Sequence, residues 1–402
     1  MNMNLNIKYY KNLLVLSIIS IPIGVIVGIL DTIFGKTLLK ITDIRQQYTL
    51  LLIPFLSLSG IIIVYCYNKF GGKSSKGMSI IFEVAQNKEK QIPLRLIPFI
   101  ILSTWTTHLF GGSAGREGVA VQIGATFSNW VGEKINIKNS KKIFLIIGIS
   151  AGFSGLFQTP IAAIFFAIEL LIAGHINYIA LIPAIISSFM ASYTSHLLGL
   201  EKFTFSLSSN ININFITILK LICLGIIFGI TGGSFAICLK NIKAFFTNKI
   251  KNPIIRIFII GIILSIVFLI LHKGRYSGLG TNLINASFYN EQIYAYDWIL
   301  KFILTIITLS IGFQGGEVTP LFSIGSSLGV ILASIFNLPI EFVASIGYIS
   351  VFGSATNTFF APIFIGAEVF GYSYIPYFFI AMSFAYTFNF NKSIYSLQEH
   401  NY

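Results

Sequence analysis

GSAGREGVAVQIG, residues 112–124, sets glycines at 112, 115 and 118 around Arg116 and Glu117, between two apolar runs. Glycine permits backbone conformations and close approaches that other residues forbid, and the run after Glu117 predicts a helix that begins there. A helix start offers unpaired N–H groups and a positive dipole end to the loop before it; within a membrane that is an anion site. The plainer reading is an interhelical turn with an exposed Arg–Glu pair. Glu117 weighs against it, because an ionisable side chain at membrane depth is costly and is retained for function. A carboxylate at a helix start can bind there as an anion, then leave by taking up a proton when another anion displaces it. A simple ion pair with Arg116 is disfavoured, since adjacent residues on a helix do not face one another.

The motif has an echo. Gly115 and Glu117 are matched by Gly315 and Glu317, 200 positions on, and Gly148, Ser150, Ser154 and Glu169 by Gly347, Ser350, Ser354 and Glu368 at offsets of 199 or 200. An offset held over about 55 residues marks an internal duplication, the sequence pointer to a transporter whose site lies between repeats near the midplane. The offset fits parallel and inverted halves alike. Glu317 is thus a second carboxylate at a second glycine-rich helix start, with the Thr319 hydroxyl two positions later. An isolated acid there could equally serve only to complement the helix dipole, worth roughly 0.3 to 1 kcal/mol at an exposed site.

Composition sets the solvent. Of 402 residues 55% are hydrophobic and 10% charged, against about 25% charged in a soluble domain, and several windows stay apolar for about 20 residues, the length that spans a bilayer. The chain reads as an all-α polytopic membrane protein, which excludes a soluble enzyme and a nucleic-acid partner. Its apolar total allows at most ~11 full crossings, so any larger number of helices includes short or broken ones. The net charge of +13 lies in short polar connections and records topology; Lys8 and Lys11, before the first apolar run at Leu13–Leu30, favour a cytoplasmic N-terminus. That run is longer than a signal-peptide core and is kept as a structural helix. Repeat one is expected at about 12–200, a polar linker at 201–214, repeat two at about 215–391, and then a short C-terminal segment containing Tyr395. The expectation is a single transmembrane domain, 1–402, with no soluble regulatory domain.

Metal and redox chemistry find no support. Cys66, Cys223 and Cys238 are an odd number without ligand spacing and read as reduced core residues. The histidines at 108, 175, 196, 272 and 400 show no HExxH or clustered spacing, and His108 reads as a satisfied core histidine. No cofactor is expected.

The GREG stretch followed by an apolar helix resembles the CLC family of chloride channels and anion/proton antiporters. So does SAGFSGLFQTPIAAIFFAIE, residues 150–169, with its small residues, Thr-Pro turn and terminal glutamate. KSIYS, residues 392–396, resembles the family segment that presents a tyrosine hydroxyl to the central anion, which maps onto Tyr395. The resemblance covers nearly the whole chain and implies a homodimer with one pore per subunit, each pore built of two inverted repeats with many short, tilted and re-entrant helices.

Two departures narrow it. GGEVTP, residues 315–320, replaces the usual glycine-rich, phenylalanine-containing motif of chloride members, and KGMSIIFE, residues 76–83, puts Met78 where those members place a serine hydroxyl. Both variants are similar to the fluoride-exporting branch. By resemblance, the anion-binding set is Met78, Gly115, Arg116, Gly118, Val318, Thr319 and Tyr395, with Val318 contributing a backbone N–H, and Glu117 and Glu317 handle gating and protons. A third departure places Leu170 where chloride antiporters carry an inner proton glutamate, so the usual inner relay is absent. In ATNTFFAPIFIGAE, residues 355–368, Phe359 stands at the family's proline position and proline appears at 362, which predicts a bend displaced by almost one helical turn. Glu169 and Glu368 are expected to cap or pair within the bundle, and Asn357 and Thr358 to join neighbouring helices.

The reading is therefore a fluoride/proton antiporter in a cell membrane, bacterial by its Ile, Asn and Lys usage. A chloride channel or chloride/proton antiporter on the same fold is the alternative. An intramembrane enzyme using Glu117 and His108 is a distant one, because the chain lacks a Gly-x-Ser-x-Gly nucleophile turn and paired metal ligands.

Overall fold

The computed structural model describes residues 3–135, 137, 140–173, 180–209, 211–289 and 291–400; His175 lies outside them. The helices are α1 (Met3–Gln47), α2 (Thr49–Leu52), α3 (Leu56–Cys66), α4 (Met78–Ala85), α5 (Leu96–Leu109), α6 (Glu117–Gly132), α7 (Ser140–Phe157), α8 (Pro160–Leu170) and α9 (Leu181–Leu197). Then follow α10 (Phe215–Lys249), α11 (Pro253–Ile270), α12 (Thr281–Phe288), α13 (Asp297–Ile311), α14 (Val318–Phe336), α15 (Ile340–Thr356), α16 (Phe360–Phe370) and α17 (Ile375–Thr387). The all-α expectation has one departure: Ile172–Ala173 pairs in parallel with Glu399–His400. Among the described residues six helices are long and apolar enough to cross a membrane, and shorter apolar ones include α5, α8 and α16. Leu14, Leu58, Ile62, Leu102, Phe189 and Ile266 are exposed on the outside of the bundle, the surface expected of a protein solvated by lipid tails.

Boundaries follow local chemistry. Asn214 and Asn252 accept backbone N–H bonds at the starts of α10 and α11, and Pro160 and Pro253 occupy first helical positions, where the missing N–H is not needed. The break between α15 and α16 falls at 357–359, with Asn357 left-handed at φ 55°. The expected displacement of this bend is therefore corrected. Pro362 lies in the first turn of α16 and breaks nothing, and the turn forms at Asn357, a residue type that tolerates that conformation.

The order α5–α6–α7–α8 is matched by α13–α14–α15–α16, and the two sets cross-connect. Gly115 donates its N–H to Gly316 O at 2.5 Å and receives that of Gly316 at 2.8 Å, an antiparallel bridge between the two motif loops. Glu169, at the end of α8, accepts the N–H groups of Phe359, Phe360 and Ala361 at the start of α16. Glu368, near the end of α16, accepts those of Ile161 and Ala162 at the start of α8. Each half supplies the anionic cap for the other's helix, which satisfies buried donors and helix dipole together. Asn129 in the last turns of α6 receives the Ile92 N–H, whereas Asn337, just after α14, accepts Lys220 from the start of α10.

Small residues let these helices cross closely. A Cβ built on Gly124 of α6 would sit 2.1 Å from Gly148 O of α7, and one on Gly325 of α14 would sit 2.0 Å from Gly347 O of α15. In lipid, helix association rests on such backbone-to-backbone packing. The three cysteines are free and half-buried, on the flanks of the bundle and not in its core.

Candidate functional site

The site is built on two helix starts that meet at the bridge. Arg116 precedes α6 with φ −128°, outside the helical range, and Glu117 is the first helical residue. The Glu117 side chain, 1% exposed, does not stay on its own helix. Its Oε2 accepts the Thr319 N–H at 3.1 Å and the Thr319 hydroxyl at 2.5 Å, in the first turn of α14. The carboxylate thus occupies the anion position at the other helix's start, held by charge-assisted bonds. Its Oε1 is buried without a hydrogen bond among the described residues.

Sequence adjacency misjudged Arg116. Because Arg116 is not helical, its N–H donates to Glu117 Oε2 at 3.3 Å and its Nε lies 3.8 Å from Oε1, so the pair does interact. The guanidinium still has Nε and Nη1 buried and without hydrogen-bond acceptors among the described residues.

Glu317 has the reciprocal position. It immediately precedes α14, and its Oε2 lies 3.8 Å from where a Cβ on Gly118 of α6 would be. Each paired glutamate therefore lies against the first turn of the other helix. Glu317 also faces a cavity of about 390 Å³ lined by Met78, Gly118, Gln122 and Tyr395. Met78 opens α4 after Gly77, whose φ of 53° and ψ of −128° suit only glycine. Tyr395 is held by the irregular C-terminal segment, in which Ile394 donates its N–H to Ala355 O, and its ring packs on Phe82 at 5.7 Å. Among the described residues the Tyr395 hydroxyl is buried without a partner, as is Ser310 Oγ in the same cavity, and Gln122 Oε1 is a buried acceptor without one. Buried donors without partners are costly, and a small anion or water in this cavity would relieve them. Lys240 and Lys243, both exposed, and half-buried Arg256 line the same cavity, a positive funnel for anions.

The expected residues therefore fall into two groups. Met78, Gly118, Glu317 and Tyr395 share the cavity; Glu117, Arg116, Val318 and Thr319 form the buried barrier beyond it. Gly115 is corrected: its N–H is bonded to Gly316 O, so it holds the two loops together and has no free donor for an anion. The donor that meets a carboxylate belongs to Thr319 and not to Val318, whose side chain is buried as the first residue of α14. His108 is only half satisfied, with Nε2 3.4 Å from Gly115 O and Nδ1 without a partner among the described residues. Leu170 is fully buried. Gln122, Ser310, Lys240, Lys243 and Arg256 were not foreseen. Gln122 had a signal, as the first polar side chain in the helix after Glu117, one turn beyond Gly118, to whose carbonyl its Nε2 donates.

The family model for the voltage gated chloride channel matches residues 59–389. The chain is 30% identical over 383 residues to the chloride/fluoride channel protein of Pseudomonas syringae pv. tomato, covering 94% of this chain and 84% of that one. A solved crystal structure of a CLC-type fluoride/proton antiporter is 53% identical, with a TM-score of 0.96 over 98% of this chain and 99% of that one. A slow cyanobacterial Cl⁻/H⁺ antiporter, 20% identical, shares the fold at a TM-score of 0.81 over 93% and 94% of the two chains. With the family's match running from the third helix to the C-terminal segment, and both glycine-rich helix starts inside it, the chain belongs to the voltage gated chloride channel, or CLC, family.

Proposed function

We propose that this protein exports fluoride from the cytoplasm in exchange for protons. The observation that carries the reading is the Glu117 carboxylate bonded to the Thr319 N–H and hydroxyl: a removable anion occupies the place where a transported anion would bind. Protonation removes the charge that holds it to Thr319. A fluoride ion from the cavity then takes the same two donors, and the acid carries its proton toward the cavity, where Glu317 is the next carboxylate. Fluoride is small and strongly hydrated, so its site must replace water with close N–H and hydroxyl donors. Thr319 supplies them at the barrier and the Tyr395 hydroxyl supplies one in the cavity, and Met78 withholds the hydroxyl that chloride members offer. The 53% identity to a fluoride/proton antiporter supports fluoride over chloride.

Sidedness follows from charge. Lys73, Lys88, Lys90 and Lys251 lie in connections, and Lys249 at the last turn of α10, beside the elements that line the 390 Å³ cavity; by the positive-inside rule this is the cytoplasmic end. The repeat boundaries at about 12–200 and 215–391, joined by 201–214, belong to this reading and are supported by the reciprocal glutamate caps. So do placement in a bacterial cytoplasmic membrane and assembly as a homodimer with one pore per subunit.

Efflux from proteoliposomes tests it. Fluoride should leave at least about tenfold faster than chloride, with proton uptake recorded as a rise in external pH. Equal rates sink the selectivity, and fluoride loss without proton movement sinks the exchange. Thr319→Val removes one donor to an anionic group, worth about 1.5 to 3 kcal/mol, and is expected to raise the half-saturating fluoride concentration by roughly 10- to 100-fold; Thr319→Ser should stay near wild type. Equal behaviour of the two variants would remove the hydroxyl from the site.

A further inference from the structure

A second cavity, of about 340 Å³, is lined by Arg45, His272, Lys273, Arg275, Ser277 and Asn282. It lies at the opposite end of the molecule from the first. Arg256, near the start of α11, lines the first cavity and His272, two residues past the end of α11, lines the second, and 18 helical residues span about 27 Å. The two cationic cavities thus flank the Glu117 barrier.

Arg45 is the unusual group. It is 4% exposed, its Nη1 has no hydrogen-bond acceptor among the described residues, and no carboxylate there pairs with it. Arg275 differs, because Asp297 neutralises it at 2.8 Å. A desolvated guanidinium without a counter-ion is expensive unless an anion visits it. Its surroundings lead back to the barrier. The Arg45 Nη1 lies against Gly278, whose N–H and carbonyl bond Gly112 O and the Ala114 N–H in the motif loop. The same carbonyl accepts from Lys301 Nζ at 2.7 Å, and Lys301 also donates to Ser113 Oγ at 2.9 Å. Lys301 is fully buried and makes these bonds to neutral oxygens alone. Gly278 therefore links the Arg45 cavity to the motif loop that carries Arg116 and Glu117.

We propose that the Arg45 cavity is a second binding station for a small inorganic anion, occupied after the ion passes Thr319 and before it leaves on the far face. The inference rests on the anion-transport reading and adds a site to it. Lys301 holds the wall in place through its bonds to Ser113 and to the Tyr276 and Gly278 carbonyls; Arg45 binds the ion.

The test is calorimetric titration of the purified full-length protein with sodium fluoride and with sodium chloride, alongside Thr319→Val, Arg45→Met and Lys273→Gln. Wild type should show two classes of anion site. Thr319→Val weakens one, and Arg45→Met abolishes the other while leaving the first unchanged. Lys273→Gln, an exposed rim residue that leaves the fold intact, should weaken the Arg45 class about twofold to threefold at low ionic strength and not at high. It keeps the test decisive if Arg45→Met fails to fold. A single class in wild type, an unaltered second class in both Arg45→Met and Lys273→Gln, or loss of both classes in folded Arg45→Met overturns the proposal. So does displacement of fluoride from this class by phosphatidylglycerol, which would make a lipid phosphate its ligand. Binding is read without flux, so absent fluoride/proton exchange in proteoliposomes counts against the transport reading and leaves the two-class result separately legible.

Discussion

Glu117→Gln is expected to lower proton-linked fluoride exchange at least about a hundredfold, the scale of removing a positioned proton-transfer group, and whatever anion flux remains should carry no protons. Glutamine has nearly the shape of the protonated acid, so the buried slot stays filled and the fold is unchanged. What it loses is the charge that holds Oε2 to the Thr319 N–H and hydroxyl, and the ability to bind and release a proton. The half of the cycle that leaves the site is mimicked permanently; the half that returns an anionic arm to Thr319 cannot occur. Parallel recordings with a fluoride electrode and a pH electrode on the same vesicles read the two fluxes separately. Normal stoichiometric proton movement in this variant would remove Glu117 from the centre of the mechanism. Glu317→Gln makes a useful comparison, because Glu317 lines the cavity beside Gly118 and can affect proton delivery while leaving Glu117 on Thr319.

The two helix starts were legible because their demands are local: glycines around a lone acid, then an apolar run. Their separation of 200 positions also disclosed the pairing, since the same local demand is met twice. What lies across the fold was not legible. Nothing near Glu169 announces that its carboxylate caps a helix some 190 residues later, and only the offset to Glu368 hinted that both do the same work. Arg45, in the last turn of α1, reads as an ordinary cation at a helix C-terminus, and its burial comes from the distant 272–282 loop. Adjacent side chains point apart only where both residues are helical, and the non-helical φ of Arg116 belongs to the loop that bridges to Gly316. The bend near 357 was misplaced because proline was weighed above asparagine as the residue that turns the chain.

Gly124→Ala should be strongly damaging for a change of one methyl group. The new Cβ would lie 2.1 Å from Gly148 O and 2.9 Å from Gly152 N, and both obstacles are backbone, so no rotamer change relieves them. α6 and α7 would have to separate along their whole crossing, which Gly152 tightens again with its own Cβ position 2.1 Å from Ala120 O. Overpacking in an interior typically costs 1 to 3 kcal/mol, and with every nearby contact to rigid main chain the expected cost is about 3 kcal/mol. Because α6 carries Glu117 at its tip, a shift of the crossing also moves the carboxylate from Thr319, so exchange should fail at temperatures where the protein is still folded. Gly118→Ala is the stability control, since its nearest obstacle, Gly316 Cα, is 3.4 Å away. Thermal unfolding of the two purified variants in detergent compares them directly. Should Gly124→Ala melt within a few degrees of wild type while Gly118→Ala does not, the close crossing is not what holds the anion barrier in place.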